Sequence, residues 1–168
     1  MELRPLRHND IKLVSECMSE KANYQWLDFG AGRQILNAAS LVVMSKRPLH
    51  CFRLFAPSSH HGAATGLVAL SDITATFKSA RLWYVLGDKR QSGRGYTSNA
   101  VGKMLTLAFT ELELETVNAW AIDQNKASIR VLTKNGFRLI GRQRRCHAVD
   151  GELLDRLWFD ILASEHQV

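Results

Sequence analysis

Two hydrophobic spacings alternate along the chain, and they predict where helices and strands lie. Apolar residues three and four positions apart indicate four helices. The first begins after Asp10, the second spans about 32–44, the third follows the loop at 87–95, and the fourth follows Asn125. Short runs rich in β-branched and aromatic residues indicate strands. The predicted element order is βααβββαβαββ, which describes a mixed α/β domain. The predicted strands span 2–5, 51–55, 66–70, 81–86, 117–122, 137–147 and 153–162.

Turn residues support this order in the C-terminal half of the chain. Asn125 stands where a helix cap is expected. Gly136 follows Asn135 at the end of the same helix, where a glycine in the left-handed conformation commonly ends a helix. Asp150 and Gly151 are a strong signal for a two-residue hairpin between the last two strands.

Composition restricts the class of protein. A length of 168 residues suits a single domain over 1–168. The content of 46% hydrophobic and 23% charged residues excludes disordered and collagen-like chains. With 22 basic and 16 acidic residues, the net charge of +6 favours anionic partners such as a phosphorylated cofactor, an acidic substrate or nucleic acid.

Cysteine usage and apolar content predict the compartment. The odd number of cysteines and their long spacings indicate reduced, intracellular thiols. The first residues lack the apolar region of a signal peptide, and no apolar run approaches the roughly 18 residues of a membrane span. We therefore expect a cytoplasmic protein without membrane contact. His60 and His61 have no third ligand at a fitting spacing, so a loop is favoured there over a metal site.

A strand that runs into a basic, glycine-rich loop and then a helix is typical of an anion-binding site. The first turn of a helix has unpaired amides and a partial positive charge. Gly93 and Gly95 would allow a phosphate close to the backbone, and Arg90 and Arg94 add formal charge. The alternative is a tight turn that needs positive φ at both glycines. The segment is neither a P-loop nor a dinucleotide fingerprint, which needs a third glycine where Ser98 stands.

Two segments resemble the GNAT acetyltransferases. Residues 93–101, Gly-Arg-Gly-Tyr-Thr-Ser-Asn-Ala-Val, are similar to that family's coenzyme A pyrophosphate loop. Residues 125–137 match its second signature, Asn-x-x-Ser-x-x-Val-Leu-x-x-x-Gly-Phe, and the spacing between the two segments also matches. Over about residues 80–145 the chain is most similar to the branch of ribosomal-protein alanine N-acetyltransferases and antibiotic-acetylating enzymes.

The pyrophosphate loop departs from the family pattern in two ways. The motif [Gln/Arg]-x-x-Gly-x-[Gly/Ala] fits in two registers, one beginning at Arg90 and one at Ser92. Tyr96 and the distance to the second signature favour the register that begins at Ser92, which implies one extra residue in the loop. Asn99 stands where this branch usually has glutamate.

The resemblance implies a fold and a cofactor. The fold would be a mixed, mostly antiparallel sheet of about six to seven strands, flanked by roughly four helices. Acetyl-CoA would lie in a V-shaped split between strands 81–86 and 117–122 and leave as coenzyme A, and no metal is implied. Val85 and Leu86 would pair with the pantetheine arm, and Asn125, Ser128 and Arg130 would lie against it or a phosphate. The pyrophosphate would be held by Gln91, Ser92, Gly93, Arg94, Gly95, Tyr96, Thr97 and Ser98.

The implied activity is direct transfer of the acetyl group to a primary amine within a ternary complex. The amine would belong to a protein N-terminus or to a small compound such as an antibiotic, an amino acid or an amino sugar. Ser128 is the candidate proton donor, and its alternative role is a helix serine bonded to its own backbone. Asp72 is the candidate base, and its alternative role is a solvated loop residue. The candidate acceptor-binding residues are Trp26, Asp72 and Trp83.

Other interpretations stay open at this stage. A catalytically silent module that binds coenzyme A would be compatible with Asn99 and with the absence of an unambiguous base. Nucleic-acid binding is disfavoured, because acidic residues interrupt the basic ones and no recognised motif occurs. The strands 137–147 and 153–162 could pair across a homodimer.

Two sets of side chains on the predicted strands carry further expectations. Arg138, Arg142 and Arg144 would share one strand face, which either meets solvent or attracts an acidic acceptor. Trp120 and Trp158 are assigned to the core.

Overall fold

Within residues 1–57 and 64–167, which the computed structural model describes, seven strands form one sheet in the order β1-β2-β3-β4-β5-β7-β6. Neighbouring strands are antiparallel except β4 and β5, which are parallel. The mixed, mostly antiparallel sheet is therefore confirmed. The histidine pair at 60–61 lies outside the described residues. The strands are β1 Glu2–Pro5, β2 Cys51–Ala56, β3 Gly66–Thr74, β4 Ser79–Leu86, β5 Thr116–Ile122, β6 Arg138–Val149 and β7 Glu152–Leu162.

Five α-helices flank the sheet in the same described residues, so one short helix has no signal in the sequence. The helix predicted over 32–44 begins only at Ala38, because Asn37 Oδ1 accepts a hydrogen bond from Ser40 N at 2.8 Å and caps the helix there. The additional helix, α2, is a single turn that is too short to show hydrophobic periodicity. The helices are α1 Ile11–Ser19, α2 Lys21–Tyr24, α3 Ala38–Ser45, α4 Tyr96–Thr110 and α5 Lys126–Lys134.

The helices cover both faces of the sheet, and each face has its own buried cluster. Met104 and Leu132, from α4 and α5, pack on one face. Met18 and Leu41, from α1 and α3, pack on the other face. Because side chains alternate along a strand, β4 sends Tyr84 toward α4 and α5, and its neighbours Trp83 and Val85 toward α1 and α3.

The sheet is split between its two parallel strands. β4 and β5 pair only over Ser79–Arg81 and Thr116–Asn118. Beyond these pairs, in the described residues, β4 remains hydrogen-bonded only to β3, and β5 only to β7. The sheet therefore divides into two halves, with β4 at the edge of one half and β5 at the edge of the other. This is the V-shaped split that the resemblance implied.

The hairpin between β6 and β7 turns at Asp150 and Gly151, as predicted. Their φ angles are 50° and 83°, and positive φ at both central residues is the property of the type I′ turn.

The prediction that Arg138, Arg142 and Arg144 share one strand face is wrong, because Arg138 and Arg142 lie on opposite faces. Arg138 lies opposite Asp160, whereas Arg142 lies opposite Leu157, because the register shifts between Leu139 and Gly141. An extra residue in one strand reverses the direction of every side chain that follows it.

The assignment of Trp120 and Trp158 to the core is also wrong. Both side chains are half-buried and belong to neither buried cluster of the described residues. They lie on the sheet face away from α4 and α5, where arginine side chains cover them.

Candidate active site

The loop between β4 and α4 is built to expose backbone amides. Asp88 Oδ1 accepts hydrogen bonds from Arg90 N at 3.0 Å and Arg90 Nε at 2.9 Å, which holds a 3₁₀ turn at Lys89–Gln91. Gly93 and Gly95 then adopt φ of 80° and 79°. A Cβ at either glycine would meet no described atom within 4 Å, so the left-handed conformation, and not crowding, requires glycine here.

The N-terminus of α4 offers donors to an anion at the open end of the split. Gly95 is the cap residue and has no side chain to bond the first turn. The amides of Tyr96, Thr97 and Ser98 have no acceptor within the helix, and the helix dipole adds partial positive charge. The Oγ of the buried Ser98 accepts a hydrogen bond from Asn135 Nδ2 at 3.0 Å, and its amide lies in the first turn of the helix.

The second signature forms α5 and packs against α4. Asn125 caps α5, since its Oδ1 accepts a hydrogen bond from Ser128 N at 3.2 Å, and its Nδ2 takes no part in this cap. The helix ends at Gly136 with φ of 84°, as predicted. Asn135 crosses to Ser98 on α4, so the two segments that carry the resemblance are in direct contact.

Tyr84 connects β4 to α5 across the split. Its Oη lies 2.8 Å from Ser128 Oγ and 3.1 Å from Ser128 O. Burial raises the pKa of the Tyr84 hydroxyl far above its usual range, despite the opposing hydrogen bond with Ser128, so this hydroxyl stays protonated. Sequence reasoning did not identify Tyr84 as a site residue, although strand alternation places it on the α5 face.

The acceptor candidates lie on the opposite face of β4. Asp72 has φ of 53° where the β3–β4 ladder shifts register, and its exposed carboxylate lies 3.1 Å from Arg81 Nη1. Trp83 packs edge-on against Phe29, with ring centroids 5.3 Å apart. Trp26 is half-buried in the loop that follows α2.

A largely buried ion pair links this loop to β7. Arg156 Nη2 lies 2.8 Å from Asp28 Oδ2, and the Arg156 guanidinium lies 4.1 Å from the ring centroid of Trp120. Burial acts to raise the pKa of Asp28, but hydrogen bonds from Arg156 and from the Gly30 amide outweigh it and lower that pKa. Both members of the pair were missed by sequence reasoning, because nothing local marks them.

The hairpin of β6 and β7 makes further contacts with α2 and with Gln25, which follows it. Lys21 forms an ion pair with Asp150, and His147 Nε2 donates to the Gln25 carbonyl at 2.7 Å. The loop between α1 and α3 is thus held against the hairpin.

Two of the four arginines of β6, Arg138 and Arg142, are already paired. Arg138 bonds Glu165 at 2.9 Å, and Arg142 bonds both Asp123 and Asp155. Their positive charge is therefore compensated locally, which weakens the expectation that they attract an acidic acceptor.

Within residues 1–57 and 64–167, no cluster of three or more histidine, cysteine or acidic side chains has a geometry that could hold a metal ion. No helix in these residues is long and apolar enough to cross a membrane.

The chain belongs to the GNAT acetyltransferase family. The family described as "Acetyltransferase (GNAT) domain" matches residues 1–138. Among curated proteins, the uncharacterized N-acetyltransferase p20 of Bacillus licheniformis is 32% identical over 87 residues, which are 52% of this chain and 48% of that protein. The match thus spans about half the length of this relative.

Solved structures share the fold over nearly the whole chain. The spermidine N-acetyltransferase of Vibrio cholerae, in complex with CoA and spermine, superposes with a TM-score of 0.85 at 17% identity and covers 98% of this chain and 96% of that one. Mycobacterium smegmatis RimJ, in complex with CoA-disulfide, gives a TM-score of 0.79 at 23% identity and covers 97% and 82%.

Proposed function

We propose that this protein is an acetyl-CoA-dependent N-acetyltransferase that transfers the acetyl group directly to a primary amine in a ternary complex. The observation that carries the proposal is the split between β4 and β5. It is flanked by free helix amides at one end and crossed by the Tyr84–Ser128 contact.

The residues around the split fit coenzyme A. Val85 and Leu86 lie beyond the last β4–β5 pair, so their backbone edge facing β5 can bond a pantetheine arm. The amides from Gly93 to Ser98 suit a pyrophosphate, whereas the predicted amides of Gln91 and Ser92 already donate to the carbonyls of Asp88 and Lys89, each at 3.0 Å. The Nδ2 of Asn125 suits an amide oxygen of the arm. The exposed Arg130 can reach a phosphate from the outer side of α5. Bound here, acetyl-CoA supplies an activated acetyl thioester.

Three groups of the chain would assist transfer, and two tryptophans would line the acceptor cleft. A backbone N–H of β4 can donate to the oxyanion that forms at the carbonyl carbon. Ser128 can donate to the leaving sulfur. Asp72, directly or through water, can take a proton from the amine, which must be neutral to attack. Trp26 and Trp83 can form walls of the acceptor cleft.

The charges around the cleft bear on the acceptor. Three of its carboxylates are already paired: Asp28 with Arg156, Asp72 with Arg81, and Asp150 with Lys21. This compensation favours an acceptor with one amine over a polycation. A protein N-terminus and a small amine such as an antibiotic, an amino acid or an amino sugar remain the candidates. A single domain over the whole chain, a cytoplasmic location and a homodimer also remain predictions.

Release of free coenzyme A thiol from acetyl-CoA tests the proposal. The amine panel comprises N-terminal peptides, aminoglycosides, amino acids, nucleotide-linked amino sugars and polyamines, and acetyl-CoA binding is followed in parallel by calorimetry. We expect thiol release with one class of monoamine, and a product heavier by one acetyl group. Ser128→Ala should lower kcat more than it weakens acetyl-CoA binding.

The other outcomes separate the alternatives. Binding of acetyl-CoA without thiol release would favour the catalytically silent module. Absence of binding would contradict both the cofactor assignment and the proposed activity.

A further inference from the structure

We propose that Tyr84 is a positioning residue that sets the direction in which the Ser128 hydroxyl donates its hydrogen bond. The inference rests on the proposed function, because it concerns the same acetyl transfer. Its basis is the contact that joins the two side chains across the split.

The contact permits two arrangements of hydrogens on the same heavy atoms. Tyr84 Oη is within hydrogen-bond distance of both Ser128 O, at 3.1 Å, and Ser128 Oγ, at 2.8 Å. A phenol has one proton, and a carbonyl oxygen can only accept. If Tyr84 donates to the carbonyl, Ser128 must donate to Tyr84. If Tyr84 donates to Ser128 Oγ instead, the serine proton is free to point elsewhere.

The second arrangement is the one that acetyl transfer requires. The C–N bond forms, the C–S bond breaks, and the electron pair of the C–S bond moves to sulfur, while the proton of the amine passes to Asp72 or water. Ser128 then turns its O–H toward the sulfur, since a charged acceptor forms a stronger hydrogen bond than a neutral one. Tyr84 turns its O–H from the carbonyl to Ser128 Oγ. Neither hydroxyl loses its proton, and the released thiolate is protonated by water.

The fold holds Tyr84 in a place suited to this role. Its ring packs against the cluster under α4 and α5, and its backbone pairs with Val68 in β3. β4 forms one side of the split, and α5 directly follows β5 on the other side. The hydroxyl therefore reaches α5 where β4 and β5 have no ladder of their own. Because burial keeps this hydroxyl protonated, it can always act as a donor.

The test is a double-mutant cycle on the full-length chain, with kcat and KM measured for acetyl-CoA and the best amine. Tyr84→Phe keeps the packed ring and removes the hydroxyl. We expect it to lower kcat about tenfold and to leave the KM for acetyl-CoA within about twofold. In a Ser128→Ala background, the same change should lower kcat no further. The matched control is Thr133→Val, which removes another hydroxyl that donates to a carbonyl of α5, at Ile129 O, and should leave kcat unchanged.

Ser128→Thr keeps a hydroxyl and provides a second measurement if Tyr84→Phe folds poorly. It should exceed Ser128→Ala in kcat when Tyr84 is intact and lose this advantage in the Tyr84→Phe background. Three outcomes would each overturn the inference and leave the proposed function standing. The first is a wild-type kcat in Tyr84→Phe, and the second is an equal loss of kcat on Tyr84→Phe substitution with Ser128 and with Ala at position 128. The third is an equal kcat of Ser128→Thr and Ser128→Ala when Tyr84 is intact. A wild-type chain that releases no thiol with any amine would instead overturn the proposed function, and the inference with it.

Discussion

The proposed cofactor-binding and acceptor-binding regions around the split are built in different ways. The proposed cofactor half, residues 84–102 and 125–136, consists of two continuous segments organised mainly by local bonds, such as the cap of Asn125 on Ser128. The proposed acceptor half, residues 21–36, 72–83 and 147–158, is joined by side chains that are remote in sequence. Asp28 and Arg156, for example, are 128 positions apart.

The difference fits what each half is proposed to recognise. Left-handed glycines and helix amides bind phosphate with backbone atoms, so the cofactor half needs a particular local conformation and leaves a readable motif. The acceptor half is shaped by charged and aromatic side chains from separate segments, such as Asp28, Trp83 and Arg156, so it leaves no continuous motif.

The largest expected effect comes from breaking the buried pair of the acceptor half. Arg156→Met leaves the largely buried Asp28 carboxylate without its partner, and we expect unfolding to become easier by about 2–3 kcal/mol. Urea denaturation measures this change. The matched control is Arg138→Met, whose exposed pair with Glu165 should contribute little. Asp28→Asn added to Arg156→Met should restore most of the loss, and a double variant as unstable as Arg156→Met would contradict the explanation.

The next effect concerns the cofactor half. Gly95→Ala places a side chain at φ of 79°, and the left-handed conformation costs an L-residue about 1–2 kcal/mol. We expect acetyl-CoA affinity, measured by calorimetry, to fall roughly tenfold as the loop relaxes away from this conformation. Gly151→Ala imposes the same strain at φ of 83° in the distant hairpin and should leave this affinity unchanged. Equal affinities for wild type and Gly95→Ala would argue against a phosphate site at this turn.

Asp72→Asn tests the base without altering the cofactor half. For an α-amine we expect at most about a tenfold loss of kcat/KM at pH 7, because its pKa of about 7.7–8.0 leaves roughly one molecule in ten neutral. A lysine-type amine, with pKa of about 10.4, should lose more. The measurement is kcat/KM of the variant and the wild type with both types of amine. Equal values for the two proteins would show that Asp72 is not the base and is only a solvated partner of Arg81.

The smallest effect is a difference in acid sensitivity between the halves. The pKa of Asp28 is lowered in the folded state, so its contribution to stability is present above the unfolded value of about 3.9 and is lost as pH falls through the folded value. The bonds Asn125–Ser128 and Ser98–Asn135 are uncharged and do not titrate there. Hydrogen exchange near pH 3 should therefore rise first in residues 21–36. A simultaneous rise in residues 125–136 would contradict this order.

Sequence by itself determined the parts of this protein that depend on neighbouring residues. Every predicted strand is present, because an apolar run and its flanking turn residues act over a few positions. The hairpin at Asp150 and Gly151 and the end of α5 at Gly136 follow from backbone conformations that these residue types adopt readily. The signatures at 93–101 and 125–137 were readable because each one is continuous in the chain.

Tertiary structure decided what depends on register and long-range contact. The shift at Leu139–Gly141 turned Arg138 and Arg142 to opposite faces, and no local pattern marks such an insertion. The Tyr84–Ser128 and Asp28–Arg156 contacts require strands to be placed before the partners are known. A side chain's hydrogen-bond partner is set by geometry over a few ångströms, whereas the sequence orders residues only along the chain.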